Sequence, residues 1–131
     1  MALALLAGAG RAQTPPPPPT ERSLMDSAYT AEQAARGDTT FQTVCARCHT
    51  VSQFQGVKFM AAWEGSTAYQ LFDQIRSEMP QDNPGSLPQE QYLNVTAYLF
   101  RLNGFPAGSQ ALPGEKAELK KIRIPSQPEW K

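Results

Sequence analysis

Apolar residues recur at helical spacing in three stretches of the chain, and no stretch shows the sustained alternation of a surface strand. In the first stretch, Thr30 is placed to cap a helix, with Gln33 at the third helical position as in a capping box. Gly37 costs about 1 kcal/mol relative to alanine in a helix, so we expect another helix to approach it closely. Three- and four-residue spacing places six residues on one face of this predicted helix: Ala34, Gly37, Phe41, Val44, Cys45 and Cys48.

The second stretch predicts a helix from about residue 67 to 77. It must end near Met79, because Pro80 disfavours the helical conformation for the residue before it. Residues 80–88 contain three prolines and a glycine, which indicates an irregular loop. The buried stripe of this helix is predicted to be Ala68, Leu71, Phe72 and Ile75.

The third stretch predicts a helix that starts at about Pro88, a favourable residue for a first helical turn. Asn103 and Gly104, followed by Pro106, form a signal for its end. A short helix within 115–121 follows, so the expected fold is all-α. The stripe of the third helix comprises Tyr92, Val95, Leu99 and Leu102.

The ends of the chain differ in composition from its middle. An apolar start followed by a small-x-small pattern predicts a signal peptide over 1–12, truncated or degenerate because no basic segment precedes it; a frayed helical anchor is the alternative. A stiff TPPPPPT run lies in a predicted proline-rich linker over 13–29. We expect the folded domain over 30–106 and a C-terminal extension over 107–131.

The composition limits what this chain does. Its 131 residues suit one domain, and twelve Lys and Arg balance twelve Asp and Glu, so no basic excess points to nucleic acid. No later segment approaches the roughly 20 apolar residues that span a bilayer, so we expect a soluble mature protein, exported to the periplasm. A hydrophobic content of 40% is low, and a large embedded cofactor would add apolar surface to the core.

Cys45, Cys48 and His49 form a C-x-x-C-H motif, the attachment signature of c-type haem. Residues i, i+3 and i+4 lie on one face of a helical turn. Two thiols in this arrangement can bond to the two vinyl groups of a porphyrin while the imidazole reaches the iron. The motif therefore predicts one covalent haem c.

Three other interpretations use the same residues. A zinc site requires about four ligands, but His49 is the only histidine and the pair are the only cysteines. A thioredoxin-like dithiol requires a βαβ context, which the pattern lacks. A disulfide between Cys45 and Cys48 would close a very small loop and constrain the unfolded chain little.

A single histidine also excludes two imidazole ligands on one iron, so the sixth position is another side chain or is open. Met1 lies in the predicted signal, Met25 in the predicted linker, and Met60 only eleven residues after His49. Met79 lies where Pro80 breaks the second helix, in a bent loop that can direct a side chain across the haem. From the residues alone, Met79 is either this ligand or a filler of an irregular gap in the core.

Several of these features together resemble the class I cytochrome c family. Gly37 and Phe41 match its small and aromatic positions where the first and last helices cross, and Tyr98 and Leu99 match the facing positions. The similarity covers about 31–125. The segments most like one bacterial subgroup are Met79-Pro80, Pro84-Gly85-Ser86-Leu87, Tyr92, Ala97-Tyr98-Leu99 and Asn103-Gly104-Phe105-Pro106-Ala107-Gly108.

The resemblance implies three helices around one haem, with His49 and Met79 as the iron ligands and electron transfer rather than catalysis as the function. Many members have a proline soon after the motif, whose carbonyl accepts a hydrogen bond from the ligand imidazole. No proline lies between His49 and Pro80 here, so we expect another backbone carbonyl in that role. Trp63 corresponds either to a residue that bonds a haem propionate or to ordinary core.

Members of the similar subgroup serve as electron-accepting subunits or domains of periplasmic dehydrogenases. The resemblance therefore implies a dehydrogenase catalytic subunit as the electron donor and a downstream cytochrome or oxidase as the acceptor. Two alternatives remain open at the level of the sequence. One is a freely diffusing electron carrier, and the other is a haem enzyme or gas sensor in which Met79 is displaceable.

Overall fold

The computed structural model describes residues 4, 8–12 and 21–126, and within them the chain is mainly α-helical. The polyproline run 14–20, Trp130 and much of the predicted signal segment lie outside the described residues. The all-α prediction is confirmed, since the two strands have only two residues each. The elements are β1 (Arg22–Ser23), α1 (Ala31–Thr43), α2 (Val57–Trp63), α3 (Ala68–Glu78), α4 (Gln89–Leu102), α5 (Lys116–Leu119) and β2 (Ile122–Arg123).

Helices α1 and α4 cross with their backbones in close approach. A Cβ atom added to Gly37 would lie 1.9 Å from the carbonyl oxygen of Asn94, closer than any real contact. One turn further along, the rings of Phe41 and Tyr98 pack with their centroids 5.4 Å apart. The prediction that Gly37 marks a helix crossing is confirmed, because only a residue without a side chain fits between the two backbones.

The N-terminus of α1 is capped as expected, with one difference. Thr30 Oγ1 accepts a hydrogen bond from the Gln33 backbone N–H at 3.1 Å. The Gln33 side chain does not return to the cap. Its Oε1 accepts from the Leu112 backbone N–H at 2.8 Å and so fastens the C-terminal part of the chain to α1.

Helices α3 and α4 have nearly the predicted bounds. Thr67 caps α3, and the helix ends with a bond from Met79 N–H to the Ile75 carbonyl at 2.9 Å. Pro88 precedes α4 as its cap instead of occupying the first turn, a difference of one residue. Residues 92–100 of α4 are all buried, because this helix packs against both α1 and α3.

Packing extends on both sides of the 30–106 interval. β1 and β2 pair in parallel, with Arg22 N–H donating to the Lys121 carbonyl at 2.7 Å. Arg123 forms an ion pair with Glu21 at 3.0 Å, so the two ends of the described fold are joined. The fully or almost fully buried side chains outside 30–106 are Leu24, Ala28, Tyr29, Leu112, Leu119, Ile122 and Ile124.

Candidate haem attachment site

The C-x-x-C-H motif forms a tight turn directly after α1. The α-helix ends at Thr43, and a 3-10 turn spans Cys45–Arg47. The backbone N–H groups of Cys48 and His49 both donate to the Cys45 carbonyl, at 3.2 and 3.0 Å. The spacing placed Cys45 and Cys48 on the same face as the apolar residues of α1, but α1 ends before them. The separate turn of the motif still brings the two cysteines and the imidazole together.

The two cysteines do not form a disulfide with each other, and their surroundings differ. Cys45 is half-buried against the core, whereas Cys48 is exposed. Burial raises the pKa of the Cys45 thiol, since a thiolate loses hydration in the interior.

The imidazole of His49 is half-buried and contacts two residues of the next turn. Its Nδ1 lies 3.2 Å from Oε1 of Gln53, and the Thr50 backbone N–H donates to the same oxygen at 2.9 Å. The Phe54 ring packs edge-on to the imidazole, with the centroids 5.2 Å apart. Where we expected a backbone carbonyl beside Nδ1, the structure has the side-chain amide of Gln53.

Asn103 anchors the segment after the motif to the end of α4. Its Nδ2 donates to the carbonyls of Phe54 and Leu99, each at 2.8 Å, and its Oδ1 accepts from the Gly56 N–H at 2.9 Å. The side chain is 2% exposed, so water does not compete for these bonds. The sequence indicated Asn103 as part of a helix stop signal and of a segment similar to the bacterial subgroup, but not as an anchor for the segment after His49.

A second anchored loop contains Met79. Its backbone is extended after α3, and its carbonyl accepts from Tyr92 Oη at 2.7 Å and from Gly85 N–H at 3.3 Å. Tyr92 Oη also accepts from the Leu87 N–H at 3.2 Å, so one hydroxyl joins both ends of the loop. Gly85 has φ +73°, a conformation that favours glycine.

The other described methionines occupy different settings. Met60 is 3% exposed and lies in the core on α2, while Met25 is 44% exposed near the N-terminal strand. Met79 is half-buried in its loop. Met25 and Met79 both lie outside the core cluster, and of these two only Met79 follows directly on the end of an α-helix, the setting expected of a ligand.

Trp63 is the last residue of α2, half-buried and packed against the core. This position agrees with its role as core, and contact with a haem propionate remains a prediction.

The alternatives to haem find little support in the described part of the chain. No group of three or more His, Cys, Asp or Glu side chains is arranged there to hold a metal ion. The strands it contains are two residues long, which rules out a thioredoxin-like βαβ unit within those residues.

Helix α4 therefore anchors two separate segments of the chain. Tyr92 near its beginning holds the Met79 loop, and Asn103 at its end holds the segment that follows His49. Two cysteines and one histidine on a single turn fit covalent haem attachment, and the fold is all-α. Together these features define a mono-haem c-type cytochrome.

Comparison with protein families supports this class. The family model described as cytochrome c oxidase, cbb3-type, subunit III matches residues 32–99, slightly more than half of the chain, and the chain belongs to this cytochrome c family. It carries covalently bound haem c with iron and functions in electron transfer. Comparisons with curated proteins and with solved structures found no match. No helix among the described residues is long and apolar enough to cross a membrane.

Proposed function

We propose that this protein transfers single electrons in the periplasm as the cytochrome subunit that accepts electrons from a dehydrogenase. The observation that carries the electron-transfer part is that one helix, α4, anchors both the segment after the attachment turn and the loop that contains Met79. Cys45 and Cys48 would hold the haem through thioether bonds, and His49 and Met79 would supply the two protein ligands to the iron. When bound, the haem iron supplies one-electron chemistry.

Two protein ligands would leave no open position for a substrate or for oxygen. Tyr92 supports this arrangement, because its hydroxyl donates to the carbonyl of Met79 and restricts the loop. Thioether ligation favours a high potential. A small structural change between the oxidised and the reduced protein would suit rapid electron exchange with a partner protein.

The dehydrogenase assignment rests on two features of the sequence. Residues 31–125 resemble electron-accepting subunits, and the stiff proline-rich linker predicted over 13–29 suits docking to a partner protein. The matching family is named for a subunit of an oxidase, which supports an oxidase or a second cytochrome as the downstream acceptor. A free carrier is the second candidate. It is favoured by the packing of the extension, since Leu112, Leu119 and Ile124 are buried in the protein's own core and cannot also wrap a partner.

Carbon monoxide binding tests the ligand assignment. The reduced wild-type protein should bind carbon monoxide weakly, and Met79→Ala should bind it readily because the sixth position is then open. Met60→Leu is the matched control, since it removes a buried methionine without changing the ligand. Equal binding by the wild type and Met79→Ala would contradict electron transfer through a six-coordinate iron and favour a gas sensor or haem enzyme.

Mild purification from the native periplasm and membranes separates a subunit from a free carrier. The proposal predicts co-purification with a dehydrogenase catalytic chain that reduces this cytochrome directly. Recovery as a monomer, with no dehydrogenase activity in the fraction, would favour the free carrier.

A further inference from the structure

The orientation of the Gln53 side-chain amide follows from its contact with Thr50. A backbone N–H only donates, so the Gln53 atom that lies 2.9 Å from Thr50 N must be the carbonyl oxygen rather than the amide nitrogen. The same oxygen lies 3.2 Å from His49 Nδ1. An oxygen without a proton faces this ring nitrogen.

The protonation of the imidazole follows from that orientation. A hydrogen bond between Nδ1 and an acceptor oxygen requires the proton to be on Nδ1. In the neutral ring, Nε2 then has its lone pair free, which is the state needed to bind a metal. The second ring nitrogen of a ligating histidine ordinarily donates to such an acceptor, which raises the basicity of the ligand.

We propose that Gln53 is the positioning residue that selects the Nδ1–H form of His49 and tunes its strength as an iron ligand. This inference rests on the proposed function, in which His49 binds the haem iron through Nε2. The acceptor is a side chain four residues along the chain, so a single substitution can change it, unlike a backbone carbonyl.

The local structure holds Gln53 in this position. Val51–Phe54 forms a 3-10 turn, with Thr50 as its cap and Gln53 as the reciprocal partner of a capping box. Asn103 fixes the end of this turn through the Phe54 carbonyl. Gln53 is exposed, so its replacement leaves the core intact and the variants should fold.

The test measures reduction potentials of the purified holoprotein at pH 7 for three residues at position 53. Gln53→Glu offers a stronger acceptor, makes the imidazole more basic and should lower the potential. Gln53→Leu removes the acceptor and should raise it. We expect the reduction equilibrium constants of these two variants to differ by about tenfold, which is about 59 mV for a one-electron couple.

Two control variants separate positioning from other effects. Thr50→Ala removes the other side chain of the capping box but keeps the backbone N–H that donates to Gln53. If Gln53 acts through its bond to His49, this variant should have the wild-type reduction potential even though the turn is loosened. Ser52→Glu adds a charge at the neighbouring residue without an acceptor at Nδ1. It should lower the potential less than Gln53→Glu does.

Proton NMR of the reduced protein provides an independent readout. The His49 Nδ1 proton should exchange slowly in the wild type and in Gln53→Glu, and quickly in Gln53→Leu. Equal exchange in all three, or a Thr50→Ala shift as large as that of Gln53→Leu, would overturn the proposal for Gln53. A wild-type spectrum without histidine ligation would instead overturn the proposed function.

Discussion

Gly37 of α1 lies against the carbonyl oxygen of Asn94 in α4, with no room for a side chain between them. This contact sets the distance between the helix that leads into the haem attachment turn and the helix that anchors both the Met79 loop and the segment after His49. A change at Gly37 therefore reaches the site through the geometry of the crossing.

Gly37→Ala should destabilise the holoprotein by about 2 kcal/mol, within the usual range for overpacking. The sign is informative, because the same substitution in a free helix would stabilise it by about 1 kcal/mol. Chemical unfolding followed by circular dichroism measures the effect. Ala35→Gly, at an exposed position of α1, calibrates helix propensity. A stabilised Gly37→Ala variant would contradict the close crossing.

Tyr92→Phe should weaken the hold on the Met79 loop. It removes the bond to the Met79 carbonyl and leaves the Leu87 N–H without this partner, which should cost about 1–3 kcal/mol. Carbon monoxide binding to the reduced protein should increase as the loop opens more often. Tyr29→Phe is the control, because Tyr29 Oη also donates to a backbone carbonyl, that of Phe105. The Tyr29→Phe variant should lose a similar amount of stability but should not bind more carbon monoxide than the wild type.

Asn103→Asp should loosen the segment that follows His49. The carboxylate can still accept from Gly56 N–H but cannot donate to the carbonyls of Phe54 and Leu99. We expect a loss of about 2–4 kcal/mol, since two buried bonds are replaced by repulsion between acceptors. Hydrogen exchange at the backbone amides of 54–56 should accelerate. Asn83→Asp, in an exposed loop, should leave that exchange unchanged.

Alkaline pH should destabilise the fold through Tyr29. Burial raises the pKa of the Tyr29 phenol above its ordinary value of 10.0, so the folded state keeps the proton more firmly than the unfolded state. This contribution is fully present below pH 10 and is lost as the pH rises through the raised pKa. Urea unfolding at several pH values from 8 to 11 should show a smaller alkaline loss in Tyr29→Phe. An identical loss in both proteins would contradict this assignment.

Local chemistry made the helices and the attachment motif readable from the sequence alone. The cap at Thr30, the break before Pro80 and the stop at Asn103 each depend on residues within one or two turns, and all three mark helix ends in the structure. The C-x-x-C-H motif identifies itself because its chemistry requires residues within a single turn. Even the crossing at Gly37 had a local sign, a glycine on an apolar helical face.

Other features depended on contacts between distant parts of the chain. Asn103 reaches Phe54, 49 residues away, and the Tyr29 hydroxyl reaches Phe105, 76 residues away. The composition around 21–29 and 107–126 suggested a linker and an extension, yet both contribute side chains to the core. Helix α2 was also missed, because its seven residues are too few to show a clear period.

The sequence by itself thus determined helices α1, α3 and α4, the covalent haem and the small set of methionines that could serve as a ligand. Tertiary structure decided which loops α4 anchors, that Met60 is core, and that a glutamine side chain lies beside His49 Nδ1. The physical reason is the separation along the chain over which each interaction acts. Helix signals and haem attachment act within a few residues, whereas burial and loop anchoring depend on which distant surfaces meet when the chain packs.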